Sequence, residues 1–185
     1  SDRCRRPGTI EIDVRNLPAT PGGREMAPAW APDGTQLAWL SDHSGEYEIW
    51  GAPADGLADA RQLTTGATTY RTGLGWSPDG RHLAVCDAAM NLWLVDAKTG
   101  ETRKVDQSTV GEINEWSWAP GGGGWLAYAK GEANGFRSIF LYELATGKSH
   151  RGATATLAAH DLAHRFVTLQ TADRAPGKPA PDMIL

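Results

Sequence analysis

A sequence element that joins a tryptophan to a Pro-Asp-Gly turn recurs along this chain and restricts the folds open to it. The copies read AWAPDGTQLAWL at 29–40, GWSPDGRHLAVC at 75–86 and, more loosely, SWAPGGGGWLAYA at 117–129. Their marker tryptophans, Trp30, Trp76 and Trp118, are 46 and 42 residues apart. This period is typical of a four-stranded β unit and exceeds the roughly 33 or 34 residues of a helical pair.

Turn chemistry predicts where the strands of each copy begin. In the turns 31–34 and 77–80, proline presets φ at the second position and glycine suits the fourth, as in a type I turn. The runs that follow, Gln36–Leu40, His82–Cys86 and Trp125–Ala129, are apolar nearly throughout. Such runs indicate strands that are buried on both faces, which requires neighbouring sheets.

Each copy then continues into two further strands. The third strands carry β-forming residues in EYEIW, NLWLV and SIFLY, and the fourth are more polar in RQLT, TRKV and KSHR. Four antiparallel strands, of which the outermost is polar and exposed to solvent, are typical of a β-propeller blade. We therefore predict an all-β fold with about three four-stranded antiparallel blades. The alternative, a β-sandwich of repeated hairpins, does not require a shared tryptophan and turn at a fixed period.

The pattern also predicts how the chain is divided. The blades are expected at approximately 24–66, 70–107 and 112–151, within a propeller region at 23–151. Residues 1–22 match the repeat poorly, and 152–185 form a divergent tail that is irregular or contains one helix before a disordered end. Three blades make a partial propeller, since closure takes 4 to 8 blades. We therefore expect a fragment or a remnant whose reading frame is lost at one or both ends, with self-association through exposed blade faces.

Composition excludes several classes of partner. A formal net charge of −4 gives no electrostatic reason to expect nucleic acid or an anionic membrane. Two cysteines, Cys4 and Cys86, do not form the framework of a small secreted protein and favour a reducing compartment. No apolar stretch approaches the roughly 18 residues that span a bilayer. We expect a cytoplasmic location.

Two clusters contain groups that catalysis would use. Ser41, Asp42, His43 and Ser44 hold the atoms of a serine-hydrolase triad, but they lie in a predicted hairpin turn that requires polar residues. The stretch HDLAH shortens the H-E-x-x-H zinc motif, and on a helix at 154–170 its two histidines, His160 and His164, would share a face. Because no third ligand is identifiable, a solvated face is the favoured interpretation.

Two glycine-containing segments resemble phosphate-binding loops without meeting their requirements. The segment TGKS at 146–149 would need a glycine where Tyr142 stands, and the four glycines at 121–124 replace a turn without a following helix. We therefore predict no catalytic residue, no metal ligand and no cofactor site in this chain. Arg24, Tyr70, Arg71 and Glu112 are guesses at positions that line a central channel.

The pattern W-[SA]-P-D-G-x-x-[LI]-A, seen at Trp30–Ala38 and Trp76–Ala84, resembles the TolB-like, or WD-like, propeller repeat. A closer resemblance is to the propeller region of tricorn-type proteases, over roughly Arg24 to Arg151. It includes the connecting segments Gly111-Glu112-Ile113 and Glu132-Ala133-Asn134-Gly135-Phe136.

The tricorn resemblance implies a role in proteolysis. In that family two propellers precede a helical region, a PDZ-like domain and a serine-peptidase core, and none of its catalytic Ser, His, Ser and Glu has a matching position here. The expected function is a non-catalytic module that routes or filters peptides, with peptides, proteins and the remaining peptidase domains as partners. One alternative is a TolB-like scaffold for protein partners without a peptidase. A weaker alternative is an independent metallohydrolase that uses His160 and His164.

Overall fold

The computed structural model describes residues 22–122 and 124–152, and within them twelve β-strands form three antiparallel sheets of four. Blade 1 contains β1 (Glu25–Trp30), β2 (Gln36–Ser41), β3 (Glu48–Pro53) and β4 (Arg61–Gln62). Blade 2 contains β5 (Arg71–Trp76), β6 (His82–Asp87), β7 (Asn91–Asp96) and β8 (Thr102–Gln107). Blade 3 contains β9 (Trp116–Trp118), β10 (Trp125–Gly131), β11 (Arg137–Glu143) and β12 (Lys148–Arg151).

The predicted all-β fold of three four-stranded antiparallel blades is confirmed. In every sheet the strand order follows the chain order, so each blade is a simple meander. The predicted N-terminal segment and C-terminal tail lie outside the described residues, apart from residues 22 and 152. None of the described residues forms a helix long and apolar enough to cross a membrane.

The meander gives the blades two distinct rims. We call the rim that carries the β2–β3 hairpin and the β4–β5 connection the upper face, together with its equivalents in the other blades. The opposite rim, with the β1–β2 and β3–β4 hairpins, is the lower face. Both rims are built from turns and connections, which is where propellers and most other folds carry their binding groups.

The Pro-Asp-Gly turns close as the sequence predicts. The amide of Gly34 donates to the carbonyl of Ala31 at 2.9 Å, and that of Gly80 donates to Ser77 at 2.9 Å. Both glycines have φ near +70°, the left-handed region that glycine tolerates without a side-chain clash. In blade 3 the glycine-rich segment instead forms a short 3-10 turn, Pro120–Gly122.

The hydrophobic core lies between blades. One cluster joins blades 1 and 2 and consists of Ala38, Leu40, Ile49, Leu83, Val85, Val95 and Ala97. A second joins blades 2 and 3 and consists of Ala84, Cys86, Leu92, Leu94, Ile113, Leu126, Tyr128 and Tyr142. Successive residues of β6 therefore serve opposite clusters, as expected for a strand that is buried on both faces.

The marker tryptophans divide according to what lies beside them. Trp76 packs on the first cluster and Trp118 on the second, so both fill space between blades as the repeat predicts. Trp30 departs from that expectation because 59% of it is exposed. The equivalent position in blades 2 and 3 faces the preceding blade, and no blade precedes blade 1 among the described residues.

The first strands of blades 1 and 2 share an irregularity. Their pairing with the second strand shifts register between Met26 and Ala29 in β1, and between Thr72 and Gly75 in β5. The displaced residues Ala27 and Gly73 have φ of 50° and 65°. A bulge at the innermost strand bends its free edge, which discourages pairing with another strand.

Candidate functional site

The upper face between blades 1 and 2 contains a buried ion pair. Glu48 begins β3 and Arg71 begins β5, and they are only 3% and 8% exposed. Nη1 of Arg71 donates to Oε2 of Glu48 at 2.6 Å. The pair therefore joins the third strand of one blade to the first strand of the next.

Thr64, which follows β4, completes this cluster. Its hydroxyl donates to Oε2 of Glu48 and accepts from Nη1 of Arg71, both at 2.6 Å. The other carboxylate oxygen of Glu48 accepts from the amide of Ala67 at 2.6 Å. Glu48, Thr64 and Arg71 therefore also hold the β4–β5 connection in place.

Two opposing effects act on the Arg71 guanidinium. Burial lowers its pKa, whereas the negative charges of Glu48 and Asp87 raise it. Burial is the larger effect, so the pKa lies below its ordinary value of 12.5. Because arginine starts so far above neutrality, the group keeps its charge and the contact with Glu48 is a true ion pair.

A cavity of about 170 Å³ opens beside this cluster. Its walls are the connection at 65–69, Arg71, Asp87 and Trp93. Ligand pockets for drug-sized molecules occupy roughly 300–1,000 Å³, so this cavity fits a single side chain or a few waters. Threonine hydroxyls and backbone groups of the connection offer hydrogen bonds to whatever enters.

The carboxylate of Asp87 is fixed by its neighbours. Its Oδ1 accepts from the amide of Asn91 at 2.9 Å, and its Oδ2 accepts from Nε1 of Trp93 at 2.7 Å. The Trp93 ring is thereby held at the cavity wall. This arrangement can bind and orient a side chain, but it presents no activated nucleophile.

Sequence reasoning missed Glu48, Thr64 and Asp87. A usable signal existed, because the first buried residue of each third strand is polar: Glu48, Asn91 and Ser138 are 3%, 6% and 1% exposed. A polar residue at one recurring position of an otherwise apolar strand indicates a partner at that rim. The partners themselves come from connections that the repeat does not describe.

The structure places the candidate triad residues in turn contacts. Ser41 is fully buried, and its hydroxyl accepts from the amide of His43 at 3.3 Å. Asp42 accepts from the amide of Arg24 at 2.6 Å, which ties the turn to β1. The His43 ring meets the edge of Trp50, with centroids 5.9 Å apart. Serine, aspartate and histidine therefore stabilise the hairpin and do not form a relay.

The four guessed channel positions have different environments. Arg24 and Glu112 are exposed, and the hydroxyl of Tyr70 contacts the sulfur of Met26 at 3.2 Å. Arg71 is buried in the ion pair, so it is not available to line an open channel. The guess that Arg71 faces a channel is therefore wrong, because the carboxylate of Glu48 draws the side chain between the blades.

The remaining sequence candidates do not gather into a site. His160 and His164 lie outside the described residues. Within 22–122 and 124–152, no group of three His, Cys, Asp or Glu is placed to hold a metal ion. Thr146 and Gly147 lie in the β11–β12 turn, where the Thr146 hydroxyl donates to Glu143 at 2.7 Å.

Comparison with known proteins agrees with this geometry. No family model matches the chain. It is 34% identical over 96 residues to Tricorn protease homolog 1 of Streptomyces coelicolor, an alignment that covers 50% of this chain and 9% of that protein. The crystal structure of the tricorn protease superposes with a TM-score of 0.62 at 17% identity, covering 71% of this chain and 13% of that one.

The resemblance to the propeller region of tricorn-type proteases is confirmed. The broader TolB-like class matches as well: the structure of TolB from Agrobacterium tumefaciens has a TM-score of 0.53 at 17% identity. That match covers 69% of this chain and 48% of the TolB chain. The chain thus spans about a tenth of its tricorn relative and about half of TolB, and the described strands form β-propeller blades.

Proposed function

We propose that this chain supplies non-catalytic propeller blades to a tricorn-like serine protease and helps to route or filter peptides there. The observation that carries the proposal is the 34% identity to Tricorn protease homolog 1 over 96 residues. Peptides, and the other domains of a larger peptidase, are the proposed partners. A cytoplasmic location is part of the proposal, supported by the free, buried thiol of Cys86.

The upper face suits transient contact with peptides. Its cavity between blades 1 and 2 accepts one side chain at a time, and Trp93 offers a flat apolar wall. The ion pair of Glu48 and Arg71 fixes the walls beforehand, so a passing peptide orders few protein groups. Shallow, preformed contacts of this kind give weak binding, which routing requires because the peptide must leave again.

Peptide binding to the full chain tests this proposal. Fluorescence anisotropy with labelled peptides of six to twelve residues is expected to show saturable, weak binding without cleavage. Thr68→Phe places a large ring at the cavity rim and should weaken binding at least five-fold. Thr35→Phe is the matched control, because Thr35 is also exposed but lies on the lower face.

Four outcomes would contradict the proposal. Absence of saturable binding, or equal loss in both variants, would show that the upper face does not handle peptides. Capture of folded proteins but not peptides would favour the TolB-like scaffold, which the superposition on TolB supports. Peptide hydrolysis that is lost in a His160→Ala, His164→Ala variant would favour the metallohydrolase.

A further inference from the structure

A larger cleft lies on the lower face between the same two blades. Its volume is about 490 Å³, within the range of small-molecule sites. Gln36 and Arg61 contribute from blade 1, and the β5–β6 and β7–β8 hairpins contribute from blade 2. The cleft is therefore formed only where the two blades meet.

The charges that line this cleft oppose the charge of the whole chain. Arg61, Arg81 and Lys98 supply three positive groups against one carboxylate, Asp96, in a chain whose formal net charge is −4. All three basic side chains are exposed and come from three different elements. A positive cleft within an acidic protein concentrates field lines and attracts small anions.

The acidic neighbours leave these cations largely unneutralised. Oδ1 of Asp96 accepts from the amide of Thr99 at 2.7 Å and from the amide of Lys98 at 2.9 Å, so it is engaged in the β7–β8 turn. The hydrogen bond from the amide of Thr99 is the main reason that the pKa of Asp96 is lowered. Asp79 reaches the guanidinium of Arg81 only at 4.0 Å. Among the described residues, no carboxylate lies within ion-pair distance of Arg61 or Lys98.

The guanidinium of Arg61 is held in position by weak hydrogen bonds that do not use its full donor capacity. Its Nη1 and Nη2 reach the carbonyl oxygen of Lys98 at 3.4 Å, and Nη2 reaches that of Ala97 at 3.4 Å. These bonds exceed the usual 2.7–3.2 Å and are weak. The guanidinium is thus held at the cleft while it retains donors for a stronger, charge-assisted partner.

His82 adds an unsatisfied polar atom to the cleft wall. Its Nδ1 is buried and has no hydrogen-bond partner among the described residues. Because this atom is buried, it offers no direct contact to a ligand in the cleft. The combination of a positioned arginine and two exposed cations, Arg81 and Lys98, is suited to oxygen atoms of a multivalent anion.

We propose that the lower cleft between blades 1 and 2 binds a small multivalent anion through its phosphate or carboxylate oxygens. Arg61 presents its guanidinium fork to two oxygens, and Arg81 and Lys98 close over the ligand from the blade 2 hairpins. Because the ligand touches both blades, it fastens blade 1 to blade 2. This proposal is independent of peptide routing on the upper face.

Isothermal titration calorimetry of the full chain with inorganic pyrophosphate and with citrate tests the proposal. We expect one saturable site whose affinity falls as sodium chloride rises from 50 to 300 mM. The Arg61→Gln, Arg81→Gln double variant should bind at least ten-fold more weakly. Lys98→Gln alone should lower the anion affinity about three-fold. Because Lys98 lies in an exposed hairpin, this single variant replaces the double variant in the test if the double variant is poorly folded.

The matched control is Lys104→Gln, Lys148→Gln, which removes the same charge from exposed strand positions outside the cleft. Equal weakening in both double variants would overturn the proposal, because it would indicate attraction by overall charge alone. Absence of saturable binding of either anion at 50 mM salt would also overturn it. Tighter binding of pyrophosphate would identify a phosphate ligand, and tighter binding of citrate a carboxylate ligand. Peptide binding by Arg61→Gln, Arg81→Gln should be unchanged, which separates this site from the upper face.

Discussion

The two blade interfaces are built from the same repeat but are held together by different chemistry. Between blades 1 and 2, aliphatic residues fill the core and the buried pair of Glu48 and Arg71 joins the rim. Between blades 2 and 3, Tyr128 and Tyr142 enter the core, and Asp106 accepts from both Tyr128 and Lys130. The repeat therefore determines the blade, whereas each pair of neighbours determines its own contact.

We therefore expect that loss of the polar contact lowers the unfolding free energy more at the first interface, between blades 1 and 2, than at the second. Replacing Arg71 with Met leaves the Glu48 carboxylate buried without a charge partner, which should cost about 3–5 kcal/mol of unfolding free energy. Urea denaturation of the full chain measures this loss. The Glu48→Gln, Arg71→Met double variant removes the orphaned charge and should recover much of it. A loss below about 1 kcal/mol in the single variant would contradict a dominant role for the pair.

The second interface depends instead on close packing. A Cβ added at Gly75 would lie 2.5 Å from Cη2 of Trp116, so Gly75→Ala forces the indole of blade 3 to move. Overpacking of this kind costs about 1–3 kcal/mol in urea denaturation. Gly51→Ala is the control, because its nearest contact is 3.4 Å. The Gly75→Ala, Trp116→Phe double variant should be less destabilised than the sum of its single variants. If the two changes simply add, Gly75 and Trp116 do not share this space.

The sequence predicts the turns and strands that depend on residues close together in the chain. Trp76, the turn at Ser77–Gly80 and the strand His82–Asp87 follow from turn chemistry and apolar runs, and the structure contains them. Interface contacts are not local: Arg71 meets Glu48 across 23 positions, and Tyr128 meets Asp106 across 22. Which polar residue finds which partner depends on how the blades are rotated and spaced, and the repeat does not encode that.

The presence or absence of a neighbouring blade also accounts for the exposed Trp30 and for the lower cleft. A repeat position predicts burial only when a neighbouring blade is present to cover it, and the first described blade has a neighbour on one side. The cleft combines Arg61 of one blade with Arg81 and Lys98 of the next. Those three residues occupy ordinary polar positions in the sequence, so only their meeting in space reveals a shared charge.

The buried thiol of the second interface should make stability depend on pH. Burial raises the pKa of the Cys86 thiol to about 12, whereas the thiol of the unfolded chain has a pKa of about 8.5, as in peptides. As pH rises, the unfolded chain therefore loses this proton before the folded chain does. The stability that the protonated thiol contributes is fully present below about pH 8.5 and is lost progressively as pH rises toward 12. We expect the wild type to lose about 2 kcal/mol relative to Cys86→Ala between pH 8 and pH 10.

Urea denaturation at both pH values measures this change. Other titrating groups are common to both chains and cancel in the difference. An identical pH dependence of the two chains would show that water reaches Cys86 and that the second interface is looser than its packing indicates.

The smallest expected effect separates the two tyrosines of the second interface. The hydroxyl of Tyr128 donates to Oδ2 of Asp106 at 2.6 Å, whereas the buried hydroxyl of Tyr142 has no hydrogen-bond partner in the described part of the chain. Removing a satisfied hydroxyl costs about 1–2 kcal/mol, since Oδ2 of Asp106 loses a donor and keeps Lys130, while Oδ1 still accepts from the amide of Gln107. Removing an unsatisfied one also removes its desolvation penalty.

Tyr128→Phe should therefore lower the unfolding free energy, while Tyr142→Phe should leave it unchanged or raise it slightly. Each change deletes one oxygen from a buried ring of the same cluster, so each variant is the other's control. Equal losses would mean that ring packing alone holds blades 2 and 3 together. A larger loss for Tyr128→Phe would show that this interface, like the first, depends on a carboxylate that neighbouring groups keep satisfied.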